Sequence, residues 1–261
     1  MRRREFIKIF GAGLAGTALT RKIFAQYPYQ EPRTPKYDFY FAQLVYGKGL
    51  GWNPRPTVAR SLASILNKRT SVPASPERVE IKLGGNELFN YPFLYWSGEG
   101  EFEPFSDSEI TNLRTWIEAG GFLLADDALG MPDSGFDRSL RRELARLFPG
   151  QELKQLPTSH TIFQSFYLLD QVTGRKASVP YVSGIDKDDL TVLIYSQNDM
   201  AGAIEQTGSS YRYSAEPGGE RQRENTIRLW VNIIVYSMTA NYKKDLLHTP
   251  FISERRKRRP K

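Results

Sequence analysis

Apolar residues along this chain fall into two spacings. Short, nearly continuous apolar runs occur at 37–46 (YDFYFAQLVY), 78–83 (RVEIKL), 91–98 (YPFLYWSG), 122–126 (FLLAD) and 189–196 (DLTVLIYS). Such runs predict strands, and the runs without polar alternation predict strands covered on both faces, as in parallel sheets. Between them the spacing turns helical. Val58, Leu62, Ile65 and Leu66 share one face, with Pro56 near the first turn. Ile110, Leu113, Trp116 and Ile117 make a second stripe, opened by the capping box of Ser106 and Glu109 and stopped by Gly120 and Gly121. Leu140, Leu144 and Leu147 mark a third helix within 136–148. Residues 223–239 are apolar around most of a helix but are interrupted by Arg228 and Asn232, which predicts a core helix rather than a membrane span. The stretch 149–188 reads as loop-rich. Strands alternating with helices predict an α/β fold, a doubly wound, mainly parallel sheet with helices on both faces.

The two ends read differently. A basic start, a Gly/Ala-rich apolar middle from Ile9 to Leu19 and small residues up to Ala25 have the layout of an export signal. Arg3-Arg4-Glu5-Phe6-Ile7-Lys8 sharpens this to a twin-arginine motif. The expected organisation is a twin-arginine-type signal at 1–25, a proline-bearing linker at 26–36, one α/β domain at 37–249 and a basic tail at 250–261. The expected location is the periplasm or the outer face of the cytoplasmic membrane. The 261 residues include no cysteine, which removes thiolate nucleophiles, thiolate metal sites and thiol redox chemistry.

Charge follows the same division. The net charge is +7, but residues 1–25 and 254–261 each hold six basic residues and one acid. Each end thus contributes +5, and the body between them is left at −3. A mildly acidic body argues against a nucleic-acid partner. The tail, or an uncut signal, is the expected point of peripheral membrane contact, through anionic headgroups.

Ligands of open parallel sheets sit beyond the carboxyl ends of the strands, where the strand order reverses. For a flavodoxin-like order that crevice lies between the first and third strands. Their exits are both glycine-rich, Gly47-Lys48-Gly49-Leu50-Gly51 and Gly98-Glu99-Gly100. Asp126-Asp127 and Asn198-Asp199 end two further strands. The expected ligand-binding set is Gly47, Gly49, Gly51, Asn53, Arg55, Gly98, Glu99, Gly100, Asn198 and Asp199. One reading of the first loop is an anion seat formed by its amides, Lys48 and Arg55. The competing reading is a tight structural turn, because neither G-x-G-x-x-G nor a P-loop ending is present.

Adjacent side chains on a strand point to opposite faces, so Asp126 and Asp127 are expected to part. One is expected to enter the crevice while the other caps a turn or pairs with Arg138, Arg141 or Arg142. In a catalytic reading Asp127 and Asp126 are the central groups, with His160 as a base. His160 also reads as structural. No cofactor is expected. If a divalent metal binds, Asp126, Asp127 and Glu99 are its candidate ligands.

The segments FAQLVYGKGLGWNPRP, ELFNYPFLYWSGEGEFEPFSDSEITNLRTWIEAGGFLLADDALG, FDRSLRRELARLFPG and NDMAGAIE, with the final helix, resemble a family of bacterial exported proteins, domain of unknown function 4159. That family is similar in fold to class I glutamine amidotransferases. The resemblance implies a glycine-rich loop at Gly98–Gly100, and Asp126-Asp127 where amidotransferases hold the nucleophile in G-x-C-x-G. Aspartate thus stands in place of cysteine, and the later His-x-Glu pair is missing, since Thr161 and Ile162 follow His160. Amidotransferase chemistry is therefore not expected. The expected function is a non-catalytic, exported domain that binds a small ligand or a protein partner in the cell envelope. The alternative is a carboxylate-based, metal-assisted hydrolase using an Asp126/Asp127 pocket.

Overall fold

The computed structural model describes residues 36–239. The expected signal, all but the last residue of the linker, the last ten residues of the expected domain and the basic tail lie outside them. In chain order the elements are β1 (Phe39–Leu44), α1 (Val58–Arg69), β2 (Ala74–Ile81), β3 (Phe93–Gly98), α2 (Asp107–Glu118), β4 (Phe122–Asp127) and α3 (Gly135–Leu147). There follow β5 (Lys154–Gln155), β6 (Ser183–Lys187), β7 (Leu190–Ser196), α4 (Met200–Ile204), β8 (Gln206–Thr207), β9 (Ser210–Tyr211) and α5 (Gly219–Thr239).

Seven strands form one sheet in the order β2-β1-β3-β4-β7-β6-β5, and β8 and β9 form a separate hairpin. From β2 through β7 in that order all neighbours are parallel. β6 and β5 then add an antiparallel edge. The parallel part has the flavodoxin-like doubly wound order, with β7 as its fifth strand. The order reverses between β1 and β3, which share a single registered pair, Gln43 and Tyr95.

The pleat sorts the core into two layers. Phe41, Tyr95, Leu124 and Ile194 face α1 and α5, where Leu62 and Trp230 meet them. Leu94, Trp96, Leu123 and Tyr195 face α2 and α3, where Leu113, Trp116, Leu140 and Leu144 meet them. Trp230 is fully buried and its Nε1 donates to the Met200 carbonyl at 3.0 Å, which ties α5 to α4. The predicted capping box closes α2, with Ser106 Oγ accepting from the Glu109 amide and Glu109 Oε2 accepting from the Ser106 amide.

β2 starts four residues before the predicted run and includes Pro76. A proline without a donor is tolerated there because β2 is an edge strand. The loop-rich stretch contains β5, a 3-10 turn at Thr161–Phe163 and β6. No described helix is long and apolar enough to cross a membrane.

Candidate functional site

β4 ends in the two aspartates. Its alternation sends Phe122 and Leu124 to the α1/α5 layer and Leu123 and Ala125 to the other. Asp126 and Asp127 continue that alternation and part to opposite faces. Asp126 accepts from the amides of Met200 and Ala201, both at 2.9 Å, and from the Tyr95 hydroxyl at 3.0 Å. It therefore binds the first turn of α4. Asp127 accepts from the Leu129 amide at 2.9 Å, the Gly130 amide at 3.3 Å and the Ser134 hydroxyl. Ser134 in turn caps α3 by accepting from the Asp137 amide at 2.9 Å.

Neither aspartate has any solvent exposure. Burial, with Asp199 nearby, pushes the Asp126 carboxyl up to about 7. Burial also raises Asp127 to about 6, against the pull of Ser134 and two amides. Of the two expected alternatives, Asp127 caps the turn at 127–130 rather than pairing with an arginine, and the three arginine candidates are engaged elsewhere. Arg138 pairs with Glu101, Arg141 with Asp137, and Arg142 with Glu143.

β7 ends in Ser196, and Asn198 and Asp199 follow. Asn198 Oδ1 accepts from the amides of Ser178 and Val179, and its Nδ2 donates to the Val179 carbonyl, so it fastens the 174–179 loop. Asp199 takes a left-handed conformation, φ 51°, and caps α4 through the Gly202 amide at 2.9 Å. Arg55 grips the same carboxylate in a fork, Nε to Oδ1 at 3.0 Å and Nη2 to Oδ2 at 2.8 Å. Arg175 Nε donates to it as well. Four bonds saturate a carboxylate.

Arg55 is spent in the same way. Beyond Asp199 it donates to Glu99 Oε1 at 3.0 Å, the Pro54 carbonyl at 3.0 Å and the Ala128 carbonyl at 2.6 Å. Those five bonds use every donor of the guanidinium. At the start of α1, the Thr57 amide donates to the buried Glu205 carboxylate at 3.2 Å. The protein's own carboxylates thus occupy Arg55, one member of the expected anion seat, and the Thr57 amide at the α1 N-cap, while Lys48 and the loop amides are not engaged by them.

An open cavity remains at the switch point. A crevice of about 810 Å³ lies between the β1 and β3 exits, lined by Tyr46, Gly47, Lys48, Gly51 and Trp52 on one wall. Gly100, Glu101, Phe102, Glu103, Pro104 and Arg142 line the other. Gly47 and Gly49 hold positive φ, 64° and 76°, which explains glycine in that loop. Gly98 is needed for another reason. A Cβ there would lie 2.2 Å from Tyr46 Oη and 2.7 Å from the Phe136 ring. Tyr46 Oη donates to the Ser97 carbonyl at 2.8 Å, and its ring lies 4.7 Å from Phe102.

Of the expected binding set, Gly47, Gly51 and Gly100 line this crevice, and Gly49 lies in its wall loop. Gly98 supports its floor. Arg55, Glu99 and Asp199 form the ionic cluster beside it. Asn53 donates its backbone amide to the Leu50 carbonyl, and its buried Oδ1 has no partner among the described residues. Neither Asp126 nor Asp127 lines the crevice.

His160 is not brought to either acid. Its Nε2 pairs with Thr191 Oγ1 at 2.9 Å, at the start of β7 and hence at the opposite end of the sheet, and its Nδ1 accepts from the Ile162 amide. Asp126 and Asp127 point to opposite faces and Glu99 is held by Arg55, so the proposed metal trio does not converge. Among the described residues no group of three or more His, Asp or Glu is arranged to hold a metal ion.

The sequence reading missed Arg175, Glu205 and Tyr213. Tyr213 packs under three guanidiniums, Arg55, Arg175 and Arg212, at 4.8, 5.5 and 5.4 Å from its centroid. All three missed residues sit in or beside irregular segments, where no periodicity marks a position. The run YRY at 211–213, aromatic alternating with basic, was the one local signal.

A comparison with curated proteins finds no match. A family model described as a domain of unknown function (DUF4159) matches residues 40–238, from the second residue of β1 almost to the end of α5. The chain belongs to that family.

Proposed function

We propose that this domain is a non-catalytic binding module of the cell envelope that holds a small ligand in the crevice between the β1 and β3 exits. The observation that carries the reading is a contrast at one end of the sheet. Asp126, Asp127 and Asp199 there are spent on internal bonds, whereas the crevice at the strand-order reversal is open. Its volume falls within the range of small-molecule sites, about 300–1,000 Å³. The envelope assignment rests on the twin-arginine pattern Arg3-Arg4-Glu5-Phe6-Ile7-Lys8. A hydrolase built on Asp126 and Asp127 has less support, because both carboxylates are closed off from solvent and each already accepts three internal hydrogen bonds.

The test is nuclear magnetic resonance of the full chain with ¹⁵N-glycine, screened against a panel of small envelope-derived molecules and fragments. Gly47, Gly49, Gly51 and Gly100 report on the crevice, while Gly150 and Gly208 report on the remainder. Saturable shifts confined to the first set are the expected result. A panel whose hits move only the second set, or move nothing, overturns the reading.

A further inference from the structure

The crevice lining holds uncommitted cationic donors, and these give its ligand a chemistry. Lys48 makes no hydrogen bond or ion pair among the described residues. Arg142 spends Nε on Glu143 at 2.7 Å and Nη2 on the Phe102 carbonyl at 2.7 Å, which leaves Nη1 uncommitted. The amides from Gly47 to Trp52 also find no acceptor among the described residues. Of the two acids in the lining, Glu101 is already paired with Arg138 at 2.5 Å, and Glu103 alone is unpaired. Uncommitted donors of Lys48 and Arg142 in one cleft, with free amides in the Gly47–Trp52 loop, suit a ligand that carries an anionic acceptor group.

The apolar part of the lining narrows the class. Tyr46 and Phe102 meet at 58°, and Trp52 is almost wholly buried with Arg78 over its ring at 5.0 Å. Tyr46 and Phe102, the half-buried rings of the lining, do not stand parallel as a slot for a flat aromatic cofactor requires. Half-buried, tilted rings offer edges and partial faces to a puckered ring with axial C–H groups. A nucleotide is disfavoured because the β1 exit loop carries neither G-x-G-x-x-G nor a P-loop ending, and Glu205 already accepts from the Thr57 amide at the α1 N-cap.

We infer that the crevice binds an acidic saccharide about two sugar units long, its carboxylate or phosphate held between Lys48 and Arg142. This rests on the binding-module reading and deepens it.

The probes are digalacturonate, trehalose 6-phosphate and neutral trehalose, each titrated into the full chain by calorimetry and followed on the crevice glycines. The expected result is saturable binding of at least one acidic probe, with trehalose weaker by at least about tenfold. Lys48→Ala and Arg142→Ala should each weaken that probe about tenfold, and Arg142→Lys should retain most of the affinity. Affinity should also fall as salt rises. Which acidic probe wins separates carboxylate from phosphate. Equal binding of trehalose, or indifference to the Lys48 and Arg142 variants, overturns the inference. If acidic saccharides leave the crevice glycines unmoved while other panel compounds shift them, this inference falls and the binding module stands. If no compound shifts them, both fall.

Discussion

Asp126→Asn isolates the cost of an ionised carboxylate inside this fold. In the native protein the group titrates near 7, whereas the unfolded chain returns it to about 3.8. Between those values the native state holds a proton that the unfolded state has released. Stability from this group is therefore fully present below about pH 4 and is lost as pH rises through 7. One proton of difference gives a slope of about −1.4 kcal/mol per pH unit, so about three units amount to about 4 kcal/mol. Asparagine keeps the shape and cannot ionise, but its amide turns a donor toward the Met200 or Ala201 N–H, at a cost of about 1–3 kcal/mol. The assay is guanidinium unfolding of both proteins at pH 5, 6, 7 and 8. Titrating groups that do not interact with Asp126 cancel in the difference between them. Wild type should be the more stable at pH 5, and its advantage should shrink or reverse by pH 8. A difference that is flat across that range, or that grows with pH, refutes the reasoning. Asp126 would then be an ordinary ionised cap.

Two further outcomes follow from close packing and from charge. Gly98→Ala should destabilise by about 1–3 kcal/mol, because the new methyl overlaps Tyr46 Oη, which would have to give up its bond to Ser97, and the fully buried Phe136 ring; a thermal melt unchanged from wild type would show that the loop gives way instead. Arg55→Lys keeps the charge but loses the planar fork, leaving Asp199 with Arg175 and the Ala128 carbonyl unpaired, so a loss of about 2–4 kcal/mol in denaturant titration is expected, and a loss under half that would mean that a point charge suffices.

How much was legible in the chain depended on whether a position had a period. The five parallel strands, the four longer helices and the Ser106–Glu109 box each carry a repeating apolar stripe or a fixed cap spacing. Those signals are local, so they survive without tertiary information. β6 was not legible because SGIDK mixes glycine and charge, and it pairs only as the antiparallel neighbour of β7. α4, five residues long, shows too little of a turn for any stripe, yet its amides hold Asp126 and Asp199.

The candidate site divides in the same way. The crevice was located by a topological rule that needs only strand order and glycine-rich exits. The fate of the acids was not, because it depends on distant partners. Asp126 meets residues more than seventy positions away, and Arg55 meets Asp199 across 144. An acid pair at a strand end looks the same in sequence whether water, a metal or a helix terminus satisfies it.

Arg55 carries a consequence for motion. Its one guanidinium reaches the β3 exit at Glu99, the β4 exit at Ala128 and the β7 exit at Asp199, while its own backbone belongs to the β1 exit. Four neighbouring loops therefore share a single rivet, and none opens far without breaking bonds to the others. In hydrogen exchange they should behave as one cooperative unit with a common opening free energy, rather than as four independently fraying loops. Both walls of the crevice are anchored in that unit. A guest entering it then orders little chain that was not already ordered, and more of its contact energy remains as affinity.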